Sequence, residues 1–307
     1  MAKPATALSI SFELGREDCG LEVRARVQRD GGVYAVALRG AAVDGALVPA
    51  LRPSPRDWCL VVRPTAGEVR FGGRVVERGA AMVVRERALT AAAPAGEVVV
   101  ATPGTRAVAL RVPGDEVVDV GRVFRVSPDA GDALARAEAQ LRSGGASDAD
   151  AAAADAHRAL VADGVLRPRA PSGERDGVRP DIFSSRLAAA LYPALSRLVR
   201  QPMLVDLVDL AGVGERQMLR TVKDVQSRFD LTERGWRATV LRWRVTTAVL
   251  LLSNPDIPLE AVARESGYSS LTALGRALRA YGLPAPSDCR ARLTCRGSAD
   301  ASPEPAP

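Results

Sequence analysis

The chain has 307 residues, 47% of them apolar and 25% charged, with 42 Lys+Arg against 36 Asp+Glu and a formal net charge of +6. That length predicts about two domains of roughly 100–200 residues, each able to bury a core without metals or disulfides. A single histidine, His157, excludes a multi-histidine metal site and leaves histidine-based acid–base catalysis one ring to work with. No metal, no cofactor and no enzymatic activity is expected.

The cations are almost all arginine, since only Lys3 and Lys223 are lysines, and their placement says more than their number. Residues 181–296 hold 17 Lys+Arg against 11 Asp+Glu, so the positive excess lies in the C-terminal third, as in a module that binds a polyanion. The four cysteines, Cys19, Cys59, Cys289 and Cys295, form no C-x-x-C pair, which argues against a zinc knuckle or a redox motif. The opening MAKPATALSISFELG has no basic stretch followed by an apolar one, and the longest aliphatic run, Ala248–Leu252, is far below the ~20 residues that cross a bilayer. A reduced, cytoplasmic chain without a membrane span is expected.

In chain order, Leu8–Val126 is strand-like, with Val-rich segments at Val33–Leu38, Leu60–Val62, Val69–Phe71, Met82–Val84, Val98–Val100 and Val108–Val112. The pairs Asp30-Gly31, Gly72-Gly73, Pro103-Gly104 and Pro113-Gly114 are turn signals, so this half predicts an antiparallel sandwich or barrel. From Asp129 the period becomes helical: one helix spans Ala133–Arg142, and Ser147 is placed to cap a second, ending near Ala162. Leu134, Leu141 and Leu160 there suit packing on their own barrel better than a dimer interface. Arg167–Pro180 has Pro, Gly and charge without an apolar period and predicts a linker.

Beyond Pro180 the pattern is helical almost to Arg296. Asp181 is placed to cap a helix to about Arg200, Pro202 to open one to Leu210, and Gly212 and Gly214 to flank a tight turn into a third. A long helix is expected from about Thr232 to Ser253, then helices at Pro258–Glu265 and Ser270–Tyr281 and a short one after Pro286; the final ASPEPAP is expected to be disordered. The fold class is therefore α+β. The division is 1–166 β-rich with C-terminal helices, 167–180 linker, 181–296 all-α, and 297–307 tail.

Two helical segments carry the functional signal. In Glu215–Phe229, Met218, Val222, Val225 and Phe229 fall within about 60° of one another at 100° per residue, while Arg216, Arg220 and Lys223, with Gln217 beside them, lie on the other side. Guanidinium forks suit guanine edges, an amide suits adenine, and lysine suits phosphate or guanine; taken alone, the face fits a solvated surface helix equally well. In Leu271–Tyr281, Leu271, Leu274, Leu278 and Tyr281 share one face and Thr272, Arg276 and Arg279 the other. Between them, Trp236, Val240, Trp243, Thr247 and Leu250 or Leu251 repeat at helical spacing, which favours core packing over base stacking. This stiff helix would set the separation of the two units, which must be near ~34 Å to enter successive major grooves.

The run Ile257–Arg290, with Ala263, Gly267-Tyr268, Ser270, Arg276, Gly282 and Pro286…Arg290 in order, resembles the second helix-turn-helix of AraC/XylS-type transcriptional regulators. Gly214–Arg220 resembles that family's first recognition helix, and Arg244…Ala248…Leu251-Leu252 its joining helix, so the resemblance covers about residues 200–292. Gly214 replaces a usual capping Ser, Leu274 and Leu278 replace usual Phe residues, and about six extra residues follow Arg220. The resemblance implies a double-stranded DNA partner. Its base-facing positions would be Arg216, Gln217, Leu219 and Arg220 in the first unit and Leu271, Thr272, Ala273 and Arg276 in the second, with Lys223 and Arg279 mainly on phosphate. It further implies a jelly-roll-like N-terminal domain that senses a ligand or dimerises; RNA polymerase, a small-molecule effector and a second copy of the chain are the other partners it admits. The competing reading is a protein-interaction adaptor that keeps the scaffold and has lost specific DNA reading. An enzymatic β domain with a helical tail ranks last, because no nucleophile–base pair can be nominated.

Overall fold

The structure, a computed structural model, describes residues 7–28, 30–49, 57–94, 96–169, 182–195, 202–229 and 235–297. The N-terminal half is built from β1 (Ala7–Gly15), β2 (Gly20–Gln28), β3 (Gly31–Arg39), β4 (Val43–Asp44), β5 (Trp58–Ala66), β6 (Val69–Phe71), β7 (Arg74–Val76), β8 (Ala80–Arg85), β9 (Val99–Ala101), β10 (Arg106–Pro113) and β11 (Val123–Arg125). They form two antiparallel sheets, one ordered β1-β2-β3-β10-β5-β8-β11 and the other β4-β9-β6-β7. The six Val-rich segments fall on β3, β5, β6, β8, β9 and β10, as expected from sequence. Gly72 (φ +56°) and Gly73 (φ +80°) form the two-residue hairpin between β6 and β7, where both positions need the left-handed region.

Alternation along the strands sorts the core. Leu60, Val62, Met82, Val84, Ala107 and Ala109 of the large sheet pack with Val69, Phe71, Val76 and Val99 of the small one. The opposite face, including Val61, Val83, Val108 and Leu110, packs on two helices, α1 (Pro128–Ser143) and α2 (Ala146–Ala162). Central strands such as β10 are thus buried on both sides, which explains their near-continuous apolar text. Leu134 and Leu160 are fully buried and Leu141 nearly so within this one chain, so none is an outward-facing dimer residue. Ser127 caps α1, its side chain accepting from the Ala130 N–H. The expected cap of α2 is corrected: Gly145, not Ser147, occupies the position, and α2 starts before Ser147.

The remaining helices are α3 (Ile182–Leu195), α4 (Leu204–Ala211), α5 (Glu215–Phe229), α6 (Trp236–Leu252), α7 (Leu259–Glu265), α8 (Leu271–Ala280) and α9 (Pro286–Gly297). Several predicted bounds shift. Pro202 lies two residues outside α4, whose start is held by a Met203 N–H bond to the Asp206 carboxylate (2.5 Å). α6 starts at Trp236 rather than Thr232, because Gly235 takes the N-cap position. α9 runs for 12 residues. The Asp181 cap, most of the linker and the tail lie outside the described residues. No helix among the described residues is long and apolar enough to cross a membrane.

One core spans both halves. Leu8, Ile10, Leu14, Ala25 and Val27 of β1 and β2 join Leu187 and Leu191 of α3, the interior of α6, and the buried sides of α5, α7, α8 and α9. Phe12 meets Trp243 edge-to-face at 4.9 Å, and the Ala42 N–H donates to Ser253 Oγ at 2.9 Å. Arg292 pairs with the buried Asp44 at 3.3 Å. With the β1–β2 layer on one side and the small helices on the other, α6 is buried around most of its circumference rather than along one stripe.

Candidate nucleic-acid interface

Two helix–turn–helix units flank α6. In the first, α4 ends at Gly212 in the left-handed conformation (φ +62°), and after two intervening residues α5 begins. Met218, Val222 and Val225 are buried, as the helical period requires, and Thr221 joins them, its hydroxyl donating to the Gln217 carbonyl at 2.9 Å. The Phe229 side chain lies outside the described residues. Arg216, Leu219, Arg220 and Lys223 are exposed on the other side. Gln217 is half-buried, and its amide reaches Thr221 Oγ1 at 3.3 Å, so one donor is engaged along the helix. α5 runs for 15 residues, against 10 in α8.

In the second unit, Ser270 caps α8 by accepting the Ala273 N–H at 3.2 Å. Leu274 and Leu278 are fully buried, and Thr272, Arg276 and Arg279 are exposed. Leu271 and Ala273 are half-buried, and Leu271 packs partly on the core. The two roles that sequence pattern assigns to Leu271, apolar face and base-facing position, thus meet at the boundary of one side chain.

Groups that the sequence marks only as landmarks of the resemblance, or as an apolar stripe, position these helices through contacts it does not show. Arg244, on α6, is buried, and its guanidinium donates from Nε to the Ser266 carbonyl (3.0 Å) and from Nη2 to the Gly267 carbonyl. It also lies 4.1 Å over the Tyr268 ring. Burial pushes its pKa down, yet the two carbonyls and the ring are what hold the α7–α8 turn against α6. Burial likewise pushes the Tyr268 hydroxyl up to about 12, so it stays neutral. Arg290 ties α9 to the loop before α7 through the Ile257 carbonyl (2.5 Å). Trp236 donates from its indole to the Pro202 carbonyl at 3.0 Å and is buried, and Trp243 meets Phe12 edge-to-face; both tryptophans serve packing. The residue identity of Arg244 was visible in the sequence, but its partners lie 22 and 23 residues away.

The remaining candidates are structural. His157 does have a carboxylate partner, from 41 residues away: its Nε2 sits 2.9 Å from Glu116. Cys19, Cys59 and Cys289 are buried, and burial pushes each thiol up to about 11, so none is activated; Cys295 is exposed. Among the described residues no three His, Cys, Asp or Glu side chains gather as a metal site would.

No family model matches the chain. No curated protein matches it either. Among solved structures it is similar to ToxT from Vibrio cholerae O395, at 8% identity and a TM-score of 0.34, over 94% of this chain and 98% of that one. It is similar to an apo ToxT variant from V. cholerae strain SCE256 at 10% identity and a TM-score of 0.34, over 96% and 100% of the two chains. Unsaturated-fatty-acid-bound wild-type ToxT of the same strain is similar at 8% identity and a TM-score of 0.33, over 86% and 96%. With TM-scores this low, none of these likenesses bears on what the chain does.

Proposed function

We propose that the chain is a sequence-specific, AraC/XylS-type DNA-binding transcriptional regulator whose α5 and α8 enter successive major grooves of one duplex. The observation that carries this reading is the pairing of two helix–turn–helix units, each with a second helix buried on its apolar side and exposed on a side bearing arginines, around the rigid, buried α6. In it, residues 181–296 are the DNA-binding unit and 1–166 the regulatory one, joined by 167–180. Arg216, Gln217 and Arg220 read bases; Leu219, Leu271 and Ala273 offer only apolar contact, as to a thymine methyl; and Thr272 adds at most a hydroxyl. Lys223 and Arg279 bind phosphate, and Arg276 does either. A small-molecule effector, RNA polymerase and a second copy of the chain are the further partners of this reading, in the cytoplasm.

In vitro selection of DNA by the full-length protein at stated salt tests it. The expected result is a motif of two half-sites about one helical turn apart. The adaptor reading is favoured by one observation: Met203, Val205, Leu210 and Leu219 leave the first unit with exposed apolar side chains, Leu219 49% exposed on the reading face itself. Failure to select any motif, with capture of a polymerase subunit instead, would establish the adaptor in place of the regulator.

A further inference from the structure

We propose that Thr221 fixes the side-chain amide of Gln217 in one orientation, so that α5 presents a hydrogen-bond acceptor there and selects an amino base, adenine or cytosine, over guanine or thymine. This rests on α5 being a recognition helix, and it names the class of base edge that one of its side chains takes.

A single proton sets the orientation. Thr221 is 2% exposed, and its hydroxyl donates to the Gln217 backbone carbonyl at 2.9 Å. A hydroxyl carries one hydrogen, so towards a second neighbour its oxygen only accepts. That neighbour is the Gln217 side-chain amide, 3.3 Å away and one helical turn back. Its nitrogen must therefore face Thr221, because its oxygen in that place would set lone pairs against lone pairs. Burial of Thr221 keeps water from supplying another hydrogen.

The consequence lies on the outer side. At about 100° per residue Gln217 sits between the exposed Arg220 and the buried Thr221. It belongs to the first turn of α5, the part of a recognition helix that meets base edges. With Nε2 tethered to Thr221, Oε1 turns away from it, and no described residue donates to that oxygen. In the major groove adenine N6 and cytosine N4 offer hydrogens, whereas guanine O6 and thymine O4 only accept. A fixed acceptor bonds the first two and repels the last two; an untethered amide turns over and makes no such choice. Arg216 and Arg220 only donate and Leu219 does neither, so Gln217 is the one side chain of the α5 base-facing set that takes a hydrogen from a base.

Selection from random DNA by the full-length protein at stated salt locates the position, as the one whose preference Gln217→Ala loses. Adenine or cytosine is expected there, about tenfold over guanine and thymine. Thr221→Val, close in shape at a buried position, should lose that preference and keep those at other positions, while Thr221→Ser, which retains the hydroxyl, should keep it. ¹⁵N spectra of the DNA-free protein test the tether separately. The Gln217 amide pair is assigned by its absence in Gln217→Ala, and its tethered hydrogen should exchange with water several-fold faster in Thr221→Val but not in Thr221→Ser. Guanine or thymine at that position, no position that responds to Gln217→Ala, a preference unchanged in Thr221→Val, or an exchange rate that Thr221→Val leaves unaltered would each overturn the proposal and leave the regulator reading standing. Selection of no motif at all would overturn both.

Discussion

Replacing Arg244 with methionine keeps most of the side-chain stem and removes the guanidinium. The buried Ser266 carbonyl then loses its Arg244 donor, and the Gly267 carbonyl loses one contact while Gly267 keeps another. Leaving a buried polar group unsatisfied costs about 1–3 kcal/mol, and the desolvated cation–π contact with Tyr268 is worth up to about 2 kcal/mol. Against this stands the relief of no longer burying a charge, whose cost is visible in the downward push on the Arg244 pKa. The net loss should be about 3 kcal/mol, well beyond an exposed substitution yet within the ~5–15 kcal/mol that keeps a domain folded. Urea unfolding of the full chain measures it. Arg244→Lys, which restores the charge without the planar fork, should recover only part. Because the two carbonyls belong to the turn between α7 and α8, the proposed regulator function further requires that both variants weaken DNA binding while leaving the α5 half-site preference unchanged. A stability loss under about 1 kcal/mol for Arg244→Met, with DNA affinity untouched, would refute the idea that this residue holds the second unit in place.

Other outcomes follow from the same geometry. Arg216→Ala and Arg220→Ala should each cost about 1–3 kcal/mol of specific binding and relax the preference at one base position, whereas Lys223→Ala should weaken all sequences alike and flatten the salt slope by about one unit; intact affinity and preference in both arginine variants would remove α5 from the reading role. Gly214→Ser should stabilise the protein by about 0.5–1 kcal/mol, read as a raised urea midpoint, because a Cβ there meets nothing within 4 Å and the hydroxyl can cap α5. In the native protein a thiol reagent at pH 8 should label Cys295 and spare Cys19, Cys59 and Cys289, whose thiols stand at about 11; equal labelling rates would contradict their burial. At Glu116, burial pushes the carboxyl pKa up, but the hydrogen bonds from His157 and Arg169 and their charges outweigh it and hold the carboxyl below its ordinary 4.5. A depressed folded pKa contributes stability that is present above the unfolded value and lost as pH falls through the folded one. Stability should therefore drop below about pH 4.5 in the native protein, and Glu116→Gln should be less stable at neutral pH with a shallower acid limb; parallel pH profiles would show that the Glu116 cluster contributes nothing.

How much was legible depended on the range of the cause. Strand and helix positions follow from periods of 2 and 3.6 residues, which neighbouring residues set, so β3, β5, β8 and β10 and the two-faced α5 and α8 are readable directly from the chain. So is the Gly72-Gly73 hairpin, because its backbone demand falls on two adjacent residues. Helix ends were read less well. Ser147 looks like a cap for α2, but the helix begins before it, since a cap depends on where the preceding turn delivers the chain.

Partners far apart in sequence leave no local mark. Glu116 and His157 meet across 41 residues, Arg26 and Asp150 across 124, and Ala42 and Ser253 across 211. The stripe of Trp236, Val240 and Trp243 predicted one buried side of α6; only the packed chain shows that β1 and β2 cover another. The sequence by itself determined which residues are apolar at which period, and hence the elements and their two faces. The tertiary structure decided which face meets which, because burial is non-directional until the layers are stacked, while the guanidinium and carboxylate contacts that lock the stack form only at fixed distance and angle.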